Sequence, residues 1–485
     1  MVVNSLAFLW FFVIVLAVYY LCQRKRVLQN GFLLISSYWF YSQINLWMAG
    51  LLAILTLIFW LLGYGVDKKI QKKKEKTASL LTNIAVIIGI GALFYFKYLN
   101  FFAESFVSAA ALVGIHLSWT AVQILVPVGL SFFSFKLMSY VLDIYHGKIS
   151  HEKDFFDFAN FIAFFPTILS GPIDRPKPFL KQLKLSRTLD SDSLMKGFRR
   201  VLWGMFMKMC VADRLDIYIS AILGNYVHHS AISIVFAALL YPLQMYADFG
   251  GYSEMAIGVG QMLGFKVAEN FRRPFLAINI AEYWRRWHMS LTSWLTDYVF
   301  MPCNIRFREW GVRGTILAII INMMFVGLWH GANWTFFFFG LYHGLLFIPL
   351  MLSGQFFKKT KVKTSAQGWP LPRFIFQMIG TYLLVMIGQF IFRAESMTEA
   401  IHIIGQIPTN LNGTLFVDFA TMVNAGICMA ALVYVDIQEE WFPNKKLWIP
   451  RWLETYRWEL TVALEILAIV LFGVFDSNQF IYFQF

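Results

Sequence analysis

The chain has 485 residues, of which 58% are hydrophobic and only 14% are charged, and its formal net charge is +13. Soluble proteins carry about 25% charged residues, so this composition excludes an ordinary soluble globular protein. Apolar runs of roughly 20 residues recur from end to end, and no stretch is long and polar enough for a separate soluble domain. We therefore predict an all-α integral membrane protein, with residues 1–485 as one domain of about 10–12 membrane segments.

The basic runs are residues 24–26, 68–76 and 358–363, and each run lies beside an apolar span. This placement is typical of cytoplasmic loops and argues against a patch that binds nucleic acid. The first span, residues 3–21, has no charge before it and three basic residues after it, the reverse of a signal peptide. We therefore expect a retained span with the N-terminus outside. The four cysteines show no Cys-x-x-Cys spacing, so we expect no disulfide and no metal site.

The remaining segments follow in chain order. Spans are expected over residues 27–45, 47–66 and 80–99, then a Phe-rich piece to about residue 113. Residues 123–145 are apolar but contain Pro127, which predicts a kinked helix. After the short apolar segment 155–170, three prolines in residues 171–178 predict a fixed loop. Residues 194–209 are basic and amphipathic, as in an interfacial helix. Later segments are a span over 231–249, a polar connection over 265–274, and spans over 374–392, 416–435 and 460–474.

Two tryptophan-rich segments each contain a histidine within hydrophobic sequence. Residues 281–298 contain His288, and residues 327–334 contain His330. As a continuous helix, residues 282–298 place Arg285 and Arg286 on a polar face and His288 on the flank of the opposite, aromatic face. Such a helix is expected to lie at the membrane interface, packed onto the helical bundle.

His330 lies well inside residues 314–357, a run without Lys, Arg, Asp or Glu. Gly327, Gly331 and Asn333 surround it, which indicates a break in the span. An ionisable side chain at membrane depth marks a functional site by default, and the alternative is a structural histidine bonded to a neighbouring helix. The surrounding motif favours the functional role for His330, whereas a structural role is favoured for His343.

A neutral imidazole suits proton abstraction near pH 7, because its reference pKa is about 6.5 and burial disfavours the charged form. The chain shows no Gly-x-Ser-x-Gly elbow, no cysteine in a basic setting, no acid pair for glycoside cleavage and no phosphate-cradling loop. What remains is a base that deprotonates a substrate hydroxyl, with His288 orienting the hydroxyl or the acyl donor. A thioester donor needs no covalent enzyme intermediate, because its thiol leaves readily.

The segments Tyr283-Trp-Arg-Arg-Trp-His-Met-Ser-Leu291, 294–298 and Gly327-Leu-Trp-His-Gly-Ala-Asn-Trp334 resemble the signature of the membrane-bound O-acyltransferase (MBOAT) family. The resemblance is to its bacterial alginate O-acetyltransferase-type members. Further segments fit the same subgroup, so the resemblance covers nearly the whole chain; they are residues 165–172, 248–258, 269–271 and 480–485. The loop 302–314 departs from the pattern, because it lacks a stretch of the Gly-Gly-Asn-Arg type, and this leaves the partner or acceptor open.

The resemblance implies a multi-spanning bundle with re-entrant or interfacial helices around a central tunnel, in the bacterial cytoplasmic membrane. It implies His330 as the catalytic base and His288 as the second member of the site. The side chains expected to bind substrate belong to the same motifs and are Trp329, Asn333, Trp287 and Asp248. The expected reaction moves an acetyl group from cytoplasmic acetyl-CoA, a substrate rather than a bound cofactor, for O-acetylation of an extracytoplasmic polysaccharide or cell-wall glycan. The expected partners are acetyl-CoA, the bilayer and a separate exported acetyltransferase.

Three other functions stay open at this point. A related MBOAT protein moves D-alanine toward teichoic acid and takes its acyl group from the phosphopantetheine arm of a carrier protein. A proton-coupled transporter would use the histidines as a relay, although no internal repeat supports a duplicated transporter fold. A membrane cytochrome would use His288 and His330 as haem ligands.

Overall fold

Most of the described chain folds into helices. The computed structural model describes residues 5–356, 358, 362–365, 368–411, 413–416, 419–443 and 456–475. Within these ranges short connections join the helices, and no β-strand forms. The all-α prediction is therefore confirmed for the part of the chain that the structure describes.

The α-helices are Leu6–Leu21, Arg26–Ser42, Leu46–Gln71, Glu75–Leu93, Leu99–Leu112, Leu130–Tyr145, Phe155–Ala163, Pro176–Leu183, Ser191–Met205, Asp213–Leu223, Ala231–Met262, Ile280–Trp284, Met289–Leu295, Met301–Arg306, Gly311–His330, Trp334–Leu346, Ile348–Leu352, Pro372–Arg393, Met397–Thr409, Phe419–Trp441 and Arg457–Phe472. Shorter π-helical segments are Phe94–Tyr98, Phe206–Ala212 and Thr296–Phe300, and 3-10 helices are Tyr226–His228, Pro274–Leu276 and Arg308–Trp310.

Among the described residues, 7 helical stretches are long and apolar enough to cross a membrane. They are Leu46–Gln71, Glu75–Leu112, Ala231–Met262, Arg308–His330, Trp334–Leu352, Pro372–Arg393 and Thr421–Trp441. The shorter apolar helix Leu6–Leu21 covers most of the predicted first span, whose residues 3–4 lie outside the described ranges. The predicted count of about 10–12 segments is larger because it included apolar segments that form shorter helices, such as Arg26–Ser42 with 17 residues and Arg457–Phe472 with 16.

Several predicted elements begin or end at other residues than the sequence indicated. The kinked helix expected over residues 123–145 begins only at Leu130. The proline loop expected over 171–178 ends early, because Pro176–Leu183 forms a helix and proline fits the first helical position. Residues 206–209, expected in an interfacial helix, are buried in a π-helical segment.

The chain forms two compact units, Met1–Val201 with Ala256–Ala268 and Leu202–Met255 with Glu269–Phe485. The helix Ala231–Met262 continues well past residue 249, where the sequence predicted its end, and supplies residues to both units. The two units are groupings of contacts within one helical chain, so the single membrane domain stays a prediction.

Within the first unit, a buried polar network connects segments that are far apart in sequence. Asp157 Oδ1 accepts a hydrogen bond from Asn30 Nδ2 at 2.8 Å, and Lys184 Nζ lies 2.9 Å from Asp157 Oδ2. Arg187 also donates to the Asn30 side chain. An unpaired charge is unfavourable in apolar surroundings, so the contacts with Asn30 and Lys184 are what allow Asp157 to be buried.

Within the second unit, the helices Gly311–His330 and Trp334–Leu346 form a tight hairpin. Glycines bring their backbones into contact: a Cβ at Gly340 would overlap the carbonyl oxygen of Met323, and a Cβ at Gly327 would overlap the backbone of the facing helix. Small residues permit this close approach between helices in a membrane. The hairpin therefore fixes the position of the chain at its turn.

We predict that Gly340→Ala lowers the stability of the protein by about 1–3 kcal/mol, because backbone atoms cannot move away without separating the two helices. The matched control is Gly380→Ala in the helix Pro372–Arg393, where a Cβ meets nothing within 4 Å. Alanine at that position is expected to be neutral or slightly stabilising. Thermal unfolding of the purified protein in detergent measures both variants. Equal midpoints for the two would contradict the glycine-mediated packing.

Candidate functional site

His330 is the last residue of the helix Gly311–His330. Gly331 follows in an extended conformation (φ 179°), and the Asn333 side chain then caps the next helix by accepting from Thr335 N at 3.0 Å. The cap satisfies a backbone N–H that a helix start leaves open. The break expected at His330 is therefore confirmed, and it places the imidazole at a helix end rather than in the middle of a span.

His288 lies in a left-handed turn between two short helices, Ile280–Trp284 and Met289–Leu295. Its φ of 44° is uncommon for a residue other than glycine, and such conformations cost about 1–3 kcal/mol and concentrate at functional sites. The continuous helix predicted over residues 282–298 is therefore wrong. Helical periodicity does not detect the interruption, because Asn270, outside that segment, provides the hydrogen bonds that hold it.

Asn270 is fully buried and holds the turn with both its backbone and its side chain. Its carbonyl accepts from Met289 N at 2.8 Å, and its Oδ1 accepts from Ser290 N at 3.3 Å. Ser290 Oγ donates to the same Oδ1 at 2.9 Å, and His288 Nδ1 lies 3.1 Å from it. Asn270 Nδ2 donates to Ser253 Oγ at 3.2 Å. One asparagine thus satisfies the first N–H groups of a helix and also contacts the imidazole.

The structure brings the two predicted histidines together, with ring centroids 6.4 Å apart. Both are buried. The Trp329 ring contacts both imidazoles, at centroid distances of 5.3 Å from His288 and 5.2 Å from His330. Phe249 lies 4.7 Å from His288, and Phe392 lies 5.0 Å from His330. Two imidazoles at this separation can both contact one small substrate group, in surroundings that limit bulk water.

Burial disfavours the imidazolium and lowers the pKa of His288 to about 3. His288 is therefore neutral at physiological pH, with one ring nitrogen that donates a hydrogen bond and one that accepts. The folded-state pKa lies below the ordinary value of about 6.5, so the unfolded chain takes up the proton first as the pH falls. The contribution of His288 to stability is thus complete above about pH 6.5 and declines between that pH and about pH 3.

The two tryptophans predicted to bind substrate are in different surroundings. Trp329 lies beside both imidazoles, as described above. Trp287 is also buried, and its ring stacks on Tyr283 at 5.5 Å and meets Phe271 edge-on at 5.0 Å. Trp287 therefore supports the turn that carries His288, and substrate binding by either tryptophan stays a prediction.

The two polar residues predicted to bind substrate also have partners within the protein. Besides capping a helix, Asn333 donates from Nδ2 to the Glu395 carbonyl at 2.7 Å. Asp248 Oδ1 lies 2.6 Å from the buried ammonium of Lys208. These contacts give Asn333 and Asp248 structural roles, and their roles in substrate binding stay predictions.

His343 has the surroundings of a structural histidine. It is fully buried, its Nδ1 accepts from Trp284 Nε1 at 3.3 Å, and its ring packs against Phe339 at 4.6 Å. These contacts link the helix Trp334–Leu346 to the segment that precedes His288, which agrees with the role favoured from the sequence.

Asn270 was not assigned a role from the sequence. It lies in residues 265–274, interpreted as a polar connection, and within residues 269–271, which contribute to the family resemblance. A polar residue in an irregular connection has no periodicity to mark it. The available signal was that resemblance, and the role becomes visible only when the fold places Asn270 against residues 288–290.

A model of the membrane-bound O-acyltransferase family matches residues 33–391, a range that includes both histidines. The chain is similar over its full length to the probable alginate O-acetylase AlgI of Pseudomonas putida, with 31% identity and 100% of both chains covered. It is 27% identical to the peptidoglycan O-acetyltransferase of Helicobacter pylori, over 83% of this chain and 79% of that protein. It is 31% identical to the teichoic acid D-alanyltransferase of Bacillus subtilis, over 55% of this chain and 69% of that protein. The chain therefore belongs to the membrane-bound O-acyltransferase family and is an acyltransferase.

Proposed function

We propose that this acyltransferase moves an acetyl group from cytoplasmic acetyl-CoA across the bacterial cytoplasmic membrane, for O-acetylation of an extracytoplasmic polysaccharide or cell-wall glycan. The observation that carries the proposal is the buried pair of His288 and His330. They lie on two separate segments, and their ring centroids are 6.4 Å apart. The full-length similarity to a protein named as an alginate O-acetylase favours acetyl as the group and a polysaccharide as its destination.

In the proposed reaction His330 acts as the general base. Its neutral imidazole takes the proton of the acceptor hydroxyl while the hydroxyl oxygen attacks the thioester carbonyl carbon. The carbon–sulfur bond then breaks, and the imidazolium returns the proton to the leaving thiolate, which gives free CoA and an oxygen ester. Holding donor and acceptor together beside Trp329 reduces the entropic barrier, and no covalent enzyme intermediate is needed. Trp287, Asn333 and Asp248 are proposed to contact substrate along a tunnel that leads to this site.

The second candidate is D-alanyl transfer from a carrier-protein thioester to teichoic acid. The teichoic acid D-alanyltransferase matches only part of this chain, whereas the alginate O-acetylase matches all of it, and this difference favours acetyl transfer. A proton-coupled transporter is a weaker candidate, because the family to which the chain belongs transfers acyl groups. A transporter would show substrate flux without formation of an ester.

We predict that His330→Ala reduces acetyl transfer by about 10²–10⁴-fold, because the general base is lost. The readout is the O-acetyl content of isolated cell-envelope glycan, measured at equal expression of each variant. His402→Ala, which changes an exposed histidine in the helix Met397–Thr409, is the matched control and should retain wild-type acetylation. Wild-type acetylation by His330→Ala would remove this residue from the mechanism.

The acetyl group is proposed to pass to a separate exported transferase before it reaches the polymer, because no stretch of the sequence is long and polar enough for an external glycan-binding domain. We predict that vesicles containing the purified protein, internal acetyl-CoA and external glycan do not acetylate the glycan. Adding an extract of exported proteins from the source cells should start acetylation, and His330→Ala vesicles should remain inactive. Efficient acetylation without the extract would show direct transfer and contradict the two-component scheme.

The N-terminus is proposed to lie outside, and the basic loops that contain residues 24–26, 68–76 and 358–363 are proposed to face the cytoplasm. Residues 359–361 of the last loop lie outside the described ranges. In a cysteine-free background, Lys72→Cys should resist an impermeant thiol reagent added to intact cells. Ser118→Cys should react, because one further membrane crossing separates it from Lys72, and both positions are exposed in the fold. Labelling of Lys72→Cys without permeabilisation would contradict the orientation.

A further inference from the structure

The contacts of Asn270 determine which atom of its amide faces His288. The backbone N–H of Ser290 can only donate, and it points at the same Asn270 atom that faces His288 Nδ1. That atom must therefore be the carbonyl oxygen rather than the amide nitrogen. The nitrogen, on the other side, donates to Ser253 Oγ. The orientation of the amide follows from a backbone group that cannot reverse its role.

Since an amide oxygen only accepts hydrogen bonds, the nitrogen of His288 that faces it must carry the proton. We propose that Asn270 is a positioning residue that keeps the His288 proton on Nδ1, so that Nε2 is presented to the substrate as a hydrogen-bond acceptor. This proposal rests on the proposed function for its substrate, but the tautomer itself does not depend on the reaction. A partner that fixes the tautomer of a functional imidazole is a common arrangement in enzyme sites.

The tautomer limits what His288 can do in acyl transfer. A neutral imidazole with its proton on Nδ1 has no donor at Nε2, so this nitrogen cannot stabilise the developing oxyanion of the thioester carbonyl. It can accept a hydrogen bond from an O–H or N–H of the substrate. The reacting hydroxyl gives its single proton to His330, so His288 orients the substrate through a second donor, such as an amide N–H of the acyl donor or another O–H or N–H group of the acceptor.

Aromatic and titratable groups also pack around the imidazole whose Nδ1 faces Asn270 Oδ1. Phe249, Trp329 and His330 pack against the ring, and His330 is the titratable group among these three. The charged groups on the neighbouring segments are Asp248, Glu254, Glu269, Arg272, Arg273, Glu282, Arg285 and Arg286. Asp248 is paired with Lys208, and Arg286 with Glu282 and Glu440.

The tautomer is measured directly by nitrogen NMR of the intact protein labelled with ¹⁵N-histidine. The chain has 9 histidines, and the His288 signals are identified by their absence in His288→Gln. We expect a protonated Nδ1 and an unprotonated Nε2 at neutral pH. The opposite pattern would overturn the proposal. Because this readout needs no activity, it still decides the tautomer if acetyl transfer proves to be the wrong reaction.

The pH dependence of the His288 ¹⁵N signals and of activity tests the positioning role. Asn270→Asp retains the acceptor oxygens but places a carboxylate on Nδ1, so protonated His288 is stabilised and the titration of His288 should move up by about 1–3 pH units. Asn270→Ala removes the partner and should lower activity by about 10–100-fold. If the alanine variant does not fold, the aspartate variant remains decisive. A wild-type titration of His288 in Asn270→Asp would overturn the proposal.

Asn160→Ala is the matched control. Asn160 is also fully buried and donates to the carbonyls of Asn30 and Phe156 at 3.0 and 3.1 Å, but it belongs to the first unit. Its loss should lower stability while the titration and the tautomer of His288 stay those of the wild type. A shift of the titration in this variant as large as that in Asn270→Asp would mean that a general structural effect, rather than positioning of His288, explains the result.

Discussion

The site depends on one constraint: a backbone that leaves its helix among buried apolar residues must find hydrogen bonds inside the protein. A backbone N–H or C=O group without a hydrogen bond lowers the stability of the folded state by several kcal/mol where no water is available. Two breaks in helical structure meet this requirement through asparagine side chains. Asn333 caps the helix after His330, and Asn270 supplies acceptors to the helix after His288. Each histidine thus lies at a break in helical structure where a nearby amide side chain satisfies backbone N–H groups.

Rigid packing makes these breaks useful. Gly327 and Gly340 hold the two helices of the hairpin at backbone contact, so His330, at the end of the first helix, has a fixed position. Contacts with Asn270 fix the strained turn at His288. Two independently anchored imidazoles can hold a constant separation while substrate enters and leaves, which is what general base catalysis with a second orienting group requires.

The sequence predicts the features that depend on local composition. Apolar runs predict the helices, and the Gly327, Gly331 and Asn333 pattern around His330 predicts the break in its span, because glycine and asparagine disfavour helix continuation there. The interruption at His288 was not predictable from residues 282–298. Their amphipathic period fits a helix, and the competing hydrogen bonds come from Asn270, 18 residues before His288.

The residues predicted to bind substrate show a second limit of what the sequence can predict. A polar residue in apolar sequence, such as Asp248 or Asn333, looks the same whether it binds substrate or pairs within the fold. Only the structure shows the ammonium of Lys208 beside Asp248 and the helix cap formed by Asn333. The pairing of His288 with His330 was partly predictable. The motifs indicated that the two histidines belong to one site, and the structure gives the distance between their rings.

We propose that the acyl group is transferred at the paired histidines. A structure of the protein with a non-hydrolysable thioether analogue of acetyl-CoA tests this most directly. We predict that the carbonyl carbon of the analogue lies beside His330 and His288, with room for an acceptor oxygen within about 3–3.5 Å of that carbon and within hydrogen-bond reach of His330. Binding of the carbonyl at a position that neither histidine can reach would contradict the account.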